Sequence, residues 1–187
     1  MPFSKESVEY FSLRNNQLTI LKHQTKIGIY GSFSGPRKAG LLAVKQFLCN
    51  SGYHARIAED LDTRPYRERK KRDPASDRKL SEKLIQESDI HIFILVKEQE
   101  GEPSNLIRSV SMEIERLHTL SDCGLKSEKY VVIYAEDGLV GTMGGVCEGL
   151  LQVKKGDWSF GEFNEIAEIF RPARQFCMNC ILDMYSF

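Results

Sequence analysis

Residues Asn105–Leu120 read NLIRSVSMEIERLHTL, an amphipathic helix that carries a carboxylate on its apolar side. At about 100° per residue, Leu106, Ile107, Val110, Ile114, Leu117 and Leu120 fall in one arc roughly 140° wide, the span of a core-facing stripe. Glu113 falls inside that arc, between Leu106 and Leu120, whereas Glu115 points to the opposite side. A carboxylate within an apolar stripe is costly unless it is paired, stands at a cleft or carries a shifted pKa. Two readings are open. Glu113 is either a structural group that snorkels or bonds a buried backbone atom, or a functional carboxylate tuned by its surroundings.

Outward from this helix, the chain alternates between strands and helices. Asp89–Val96 (DIHIFILV) is the strand that feeds it, and Lys129–Tyr134 (KYVVIY) is the strand that follows. Nearer the N-terminus, Lys26–Tyr30 (KIGIY) is a short apolar run bounded by Gly31, the mark of a central buried strand. It enters GSFSGP, Gly31–Pro36, and then a helix with Leu41, Val44 and Leu48 at helical spacing, stopped by Gly52. Tyr53–Ile57 is the next strand. Asp73-Pro74 then supplies a cap and a first-turn proline for a helix bearing Leu80 and Leu84. After the glycine-rich Gly138–Gly149, Leu150–Val153 and Gly156-Asp157-Trp158 read as a fifth short strand and turn. The tail, Phe160–Phe187, reads as helical, broken near Pro172. Strands rich in Ile, Val and Tyr that alternate with helices predict an α/β fold, a single-domain parallel sheet flanked by helices, flavodoxin- or TIR-like, with an extra helical C-terminus. Residues 1–25, with a helix over 4–14 capped by Ser4 and then Leu18–Leu21, form an N-terminal extension packed on the domain of residues 26–187.

Composition narrows the function classes. The 187 residues suffice for one domain with a substantial core. With 26 basic and 26 acidic residues, overall charge favours neither nucleic acid nor membrane as a partner. No apolar run reaches the roughly 18–20 residues that span a bilayer, and MPFSKESVEYFSLRNN lacks the apolar core of a signal peptide. A cytoplasmic location is expected. Five cysteines do not make a secreted disulfide framework.

In a parallel sheet of this kind, ligands bind beyond the carboxyl ends of the strands. Gly31, Ser32, Phe33, Ser34 and Gly35 follow the first strand, Glu59 and Asp60 the second, and Glu136, Asp137 and Gly138 the fourth. The helix holding Glu113 begins at the same edge, so all of these groups are expected to converge on one crevice. Glycines admit a ligand close to the backbone, and the next helix offers free N–H groups to an anion or a hydroxyl. A tight strand-to-helix turn is the competing reading of GSFSGP, which holds neither a Gly-x-Gly-x-x-Gly fingerprint nor a Walker lysine.

Through IGIYGSFSGP, SDIHIFIL and the helix bearing Glu113, the chain resembles the nucleoside 2-deoxyribosyltransferase-like group, whose fold is related to that of TIR domains. Ser109-Val110-Ser111-Met112-Glu113-Ile114 takes the place of the group's Gly-Thr-x-x-Glu-type motif. The resemblance covers roughly residues 26–135 and implies scission or transfer at the N-glycosidic bond of a nucleoside, a nucleotide or an NAD-like molecule. Glu113 would then be the catalytic carboxylate, attacking or stabilising an oxocarbenium-like carbon. Gly31 to Gly35, Asp60 and Asp137 would hold the substrate, with Phe33 stacked on a base and an aspartate on a ribose hydroxyl. No cofactor is implied, and a homodimer is in keeping with the group's shared sites. A TIR-style alignment would select Glu115 instead, and GSFSG also looks like the opening of the nucleotide-phosphoribohydrolase family. A non-catalytic nucleotide-sensing or interaction module with the same fold is the contrasting expectation.

The remaining motifs carry less. Arg64, Arg67, Arg69, Lys70, Lys71, Arg72, Arg78 and Lys79 read as a solvated segment or as a lid over a phosphate. Cys177-Met178-Asn179-Cys180 cannot alone complete a tetrahedral zinc site, so the two cysteines read as buried helix residues or an incidental disulfide. His91, inside a strand, and His118, beside the apolar stripe, read as structural, and no metal site is expected.

Overall fold

A computed structural model describes residues 5–31, 35–65, 74–97, 106–139 and 158–185. The elements run in the order α1 (Lys5–Gln24), β1 (Lys26–Tyr30), α2 (Gly35–Asn50), β2 (His54–Arg56), a 3-10 turn (Ala58–Leu61), α3 (Pro74–Glu87) and β3 (Ile90–Leu95). There follow α4 (Leu106–Asp122), β4 (Val131–Glu136), β5 (Ser159–Phe163), a second 3-10 turn (Ile166–Ile169) and α5 (Phe170–Met184). The strands form one sheet in the order β2-β1-β3-β4-β5, every neighbouring pair parallel. This is the flavodoxin-like order, whose topological switch lies between β1 and β3. The register there pairs Ile27 with Ile90 and Tyr30 with Phe93.

Alternation along the strands sorts the core into two layers. Ile27, Ile29, Ile90, Ile92, Ile94 and Val132 meet Leu41, Val44 and Leu48 of α2 and Ala173, Cys177 and Ile181 of α5. Leu18 and Leu21 of α1 pack against this layer. On the other face Tyr30, Phe93, Leu95, Val131 and Ile133 meet Leu84 and Ile85 of α3 and Val110, Ile114, Leu117 and Leu120 of α4. All six residues of β3 are buried, as expected of a strand covered on both faces. Each large aliphatic side chain sealed in these layers contributes about 1.5–3 kcal/mol relative to exposure.

Two expectations need correction. Phe160–Phe163 is not helical but belongs to β5, which pairs with β4 from Val132↔Ser159 to Glu136↔Phe163. The strand packs closely on its neighbour: a Cβ at Gly161 would stand 3.0 Å from two ring carbons of Tyr134, so a larger residue there would require that ring to give by a few tenths of an ångström. Pro172 does not break a helix, because it lies in the first turn of α5, where no intrahelical N–H bond is lost. Leu150–Val153 and Gly156-Asp157 lie outside the described residues. At the N-terminus one helix runs through Lys5–Gln24 rather than stopping at residue 14, as suits a stretch with neither glycine nor proline. Ser4 lies outside the described residues. Among the described residues, no helix is long and apolar enough to cross a membrane.

Candidate functional site

Glu113 is the eighth residue of α4 and Ser81 the eighth of α3. Both helices begin at the carboxyl edge of the sheet, so each residue lies about 10 Å along its helix axis from that edge. They meet there: Ser81 Oγ donates to Glu113 Oε1 at 2.6 Å. The stem of Glu113 keeps partial exposure, but Oε2 is sealed and has no hydrogen-bond partner among the described residues. Burial among Val110, Ile114 and Leu117 pushes the carboxyl up to about 7, against the downward pull of the Ser81 hydrogen bond. A carboxyl that gains and loses its proton near neutral pH is suited to acid–base work.

Beneath this pair lies a second polar group. Tyr30 and His91 share the α3/α4 face of the sheet, with Tyr30 Oη and His91 Nδ1 2.9 Å apart. The Tyr30 ring stacks on Phe93 at a centroid distance of 4.5 Å. Gly28 makes room for this arrangement, since a Cβ there would overlap the Tyr30 hydroxyl and stand 2.6 Å from Ser88 Oγ. Burial raises the Tyr30 phenol well above its ordinary range, and Glu113 adds to the rise through its charge. Burial holds His91 down at about 3, so its ring is neutral at physiological pH. Arg56, level with Gly28 in the register of β1 and β2, acts on Tyr30 in the opposite sense and pairs with Glu87 at 3.1 Å.

At the carboxyl edge the groups expected to hold a substrate have mixed situations. Gly31 is buried, and a Cβ there would stand 2.8 Å from Leu41 Cδ1 and 3.2 Å from the Ile94 carbonyl oxygen. Its smallness is therefore already used in seating α2 on the sheet. Gly35 opens α2. Ser32, Phe33 and Ser34 lie outside the described residues. Asp60 caps its own turn, Oδ2 accepting from Ile57 N at 2.8 Å, while Oδ1 pairs with Lys45 at 2.6 Å. Asp137 is exposed in the turn after β4, its N–H bonded to Phe163 O at 2.9 Å. Around them Lys38 pairs with Glu59 at 2.8 Å, the Arg37 guanidinium donates to the Lys97 carbonyl, and Lys97 N donates to Glu136 Oε2 at 2.8 Å.

The structure thus brings Glu113 together with Ser81 and within electrostatic reach of Tyr30, and it places Gly31, Asp60 and Asp137 at the strand ends. Among the described residues no hydrogen bond or ion pair joins Glu113 to those three. Ser81 and Tyr30 escaped the sequence reading, although Ser81 carried the same signal as Glu113. It interrupts the stripe formed with Leu84 and Ile85, three and four positions on. Glu115 is partly exposed and outside both cores.

Other motifs have structural partners. Arg64 forks onto the buried Asp62 at 2.9 and 3.0 Å, and Arg78 reaches Glu82 at 3.1 Å. Residues 66–73 of the basic segment lie outside the described residues. Cys177 and Cys180 are free and buried on α5, and burial pushes the Cys180 thiol up to about 12. His118 lies 3.3 Å from Glu128 and 3.5 Å from Asp122. No cluster of metal-ligating side chains occurs among the described residues.

Fold and site together define a parallel α/β protein of flavodoxin-like order with a tuned, helix-borne carboxyl on the α3/α4 side of its sheet. Comparison with models of known protein families and with curated proteins returned no match.

Proposed function

We propose that this protein binds a nucleoside, a nucleotide or an NAD-like molecule and cleaves or transfers at its N-glycosidic bond, with Glu113 as the working carboxylate. The observation that carries this reading is the state of Glu113. One oxygen is fixed by Ser81, the other has no partner among the described residues, and the carboxyl titrates near 7 rather than near its ordinary 4.5. In the ionised form Oε2 keeps a lone pair for an electron-poor sugar carbon, and in the neutral form the same group holds a proton for a leaving base. The layout through which the sequence resembles the deoxyribosyltransferase-like group, a strand feeding a glutamate-bearing helix beside a glycine-containing first loop, supports the same chemistry. Incubation with NAD, deoxynucleosides and nucleoside monophosphates, with chromatography of the released base, tests the proposal. Wild type is expected to release base and Glu113→Gln is expected not to.

One observation favours a second reading. Glu113 Oε2 is sealed from solvent, as it would be in a carboxyl that fastens α3 to α4 and never meets a ligand. In that case the protein is a non-catalytic module, and purified material retains nucleotide without turning it over.

A further inference from the structure

We propose that the open edge of β5 and the cavity beside it receive an extended basic peptide of a partner protein. The peptide adds its backbone to the sheet, places an apolar side chain in the cavity opposite Gly161 and sets a lysine or arginine beside Glu162. This site belongs to the α2/α5 face at the β5 edge, whereas Glu113 is carried by α4 on the other face, so the proposal stands apart from the N-glycosidic reading.

β5 ends the sheet, and one hydrogen bond fixes which of its peptide groups are open. Phe163 O accepts from Asp137 N at 2.9 Å, so Phe163 turns its peptide groups towards β4. Direction alternates along a strand. Gly161 and Ser159 therefore face β4 as well, and the N–H and C=O of Phe160 and Glu162 point outward. Among the described residues nothing bonds to those four groups. Such an edge is a template for another strand, and proteins commonly blunt it with lysine, proline or a bulge. Ser159–Phe163 has no lysine or proline, and its register with β4 runs unbroken.

Beside this edge lies a cavity of about 350 Å³, within the size range of ligand sites. The Tyr134 ring lines it, two of its carbons 3.0 Å from where a Cβ at Gly161 would stand. Pro172, Phe176 and Asn179 of α5, four and three positions apart on one helix face, form the far wall. Phe160, on the opposite face of the strand, is 45% exposed, so an added strand meets apolar surface on both sides. Cross-strand partners share a face. The peptide residue opposite Gly161 thus enters the cavity, and its neighbours lie beside Phe160 and Glu162.

Charge selects the occupant. Glu162 and Glu168 line the cavity, and no lysine, arginine or histidine does. Glu168 Oε2 already accepts from Asn164 N at 2.9 Å, just past the strand, whereas Glu162 has no hydrogen-bond or ion-pair partner among the described residues. From Trp158 to Phe170 the chain carries three glutamates and no basic residue. A second copy presenting its own β5 would gather like charges along the edge, and a basic peptide neutralises them.

The test uses the full chain labelled with nitrogen-15 and two synthetic peptides. One is acetyl-Ser-Thr-Lys-Leu-Val-Thr-Ser-amide, and the other has glutamate in place of lysine. Without peptide, amide hydrogen exchange is expected to be fast at Phe160 and Glu162 and slow at Gly161 and Phe163. The lysine peptide is expected to slow exchange at Phe160 and Glu162 and to bind about five-fold more tightly than the glutamate peptide, the scale of a cross-strand charge pair. Glu162→Lys, at an exposed position, is expected to reverse that preference. No binding of the lysine peptide, equal binding of the two, or a preference that survives Glu162→Lys overturns the proposal. So does binding that leaves the Phe160 and Glu162 amides unprotected, or n-butylammonium producing the same signal shifts, which would mark a site for a small cation only. Protection of both amides without peptide that grows with protein concentration would assign the edge to a second copy and overturn it too.

Discussion

Ser81 and Glu113 meet at 2.6 Å from the midpoints of two separate helices, and each is the polar interruption of an otherwise apolar stripe. The pair bridges α3 and α4 in the layer where their aliphatic side chains cover Tyr30 and Phe93. What holds the helices together and what tunes the carboxyl are therefore the same contact.

Ser81→Ala removes the hydrogen bond that pulls the Glu113 carboxyl downward. The Glu113 titration midpoint is expected to move above about 7. At pH 8 the variant should lose about 1–3 kcal/mol of stability, because an ionised oxygen is left without its donor. Carboxyl NMR titration and urea unfolding at pH 8 read the two effects.

Glu113→Gln is expected to change the pH dependence of stability in a defined direction. The carboxyl is raised from 4.5 in the unfolded chain to about 7 in the fold. Its burial costs no charge below 4.5, and stability is lost as pH climbs from there through 7, in total about 3 kcal/mol. A neutral amide abolishes that loss. The variant should match wild type more closely at pH 4.5 than at pH 8, where it should be the more stable of the two by up to about that amount. Chemical denaturation at both pH values decides it.

His91 works with the opposite sign. Its folded value of about 3 lies below the ordinary 6.5, so its contribution is present above 6.5 and is lost as pH falls towards 3. Between about 4.5 and 6.5 the two slopes oppose each other, Glu113 losing stability with rising pH and His91 gaining it. Their summed contribution is expected to be nearly flat in that window. Substituting His91→Phe in a protein that still folds should expose the Glu113 slope, so that stability between pH 4.5 and 6.5 falls as pH rises.

Gly28→Ala tests the room made for the polar group beneath Glu113. The added Cβ would overlap the Tyr30 hydroxyl and stand 2.8 Å from its ring carbon Cζ. Overpacking of this kind costs about 1–3 kcal/mol, read from the denaturation midpoint. The same substitution at Gly52 or Gly124 would meet no neighbouring atom within 4 Å, although the positive φ of both turns would add its own strain.

The strands and helices of the sheet were legible because their patterns are local. DIHIFILV and KIGIY are runs that only a doubly covered strand tolerates, and β3 is buried throughout. The stripe of α4 was equally legible, with Val110, Ile114, Leu117 and Leu120 all sealed. Phe160–Phe163 was not, because a short edge strand with one buried phenylalanine has no periodicity distinct from the start of a helix. Glu113 announced itself by breaking a pattern. Its partners did not, because the Tyr30–His91 contact spans 61 positions and the Ser81–Glu113 contact 32. Neither distance can be read from helical or strand spacing. Asp60 was legible as an acid at a strand end, but its bonds to Ile57 N and Lys45 arise from a 3-10 turn that the sequence does not signal.

The most direct measurement is base release by Glu113→Gln and Glu115→Gln, assayed beside wild type on the same nucleosides, nucleotides and NAD. The two glutamates share a helix and differ by two positions, so fold and overall charge are matched while the side chains point to different surroundings. The predicted result is release by wild type and Glu115→Gln, with loss of at least about 100-fold in Glu113→Gln, the scale of a removed acid–base group. Release that survives in Glu113→Gln and fails in Glu115→Gln, or no release from any substrate by folded wild type, would contradict it.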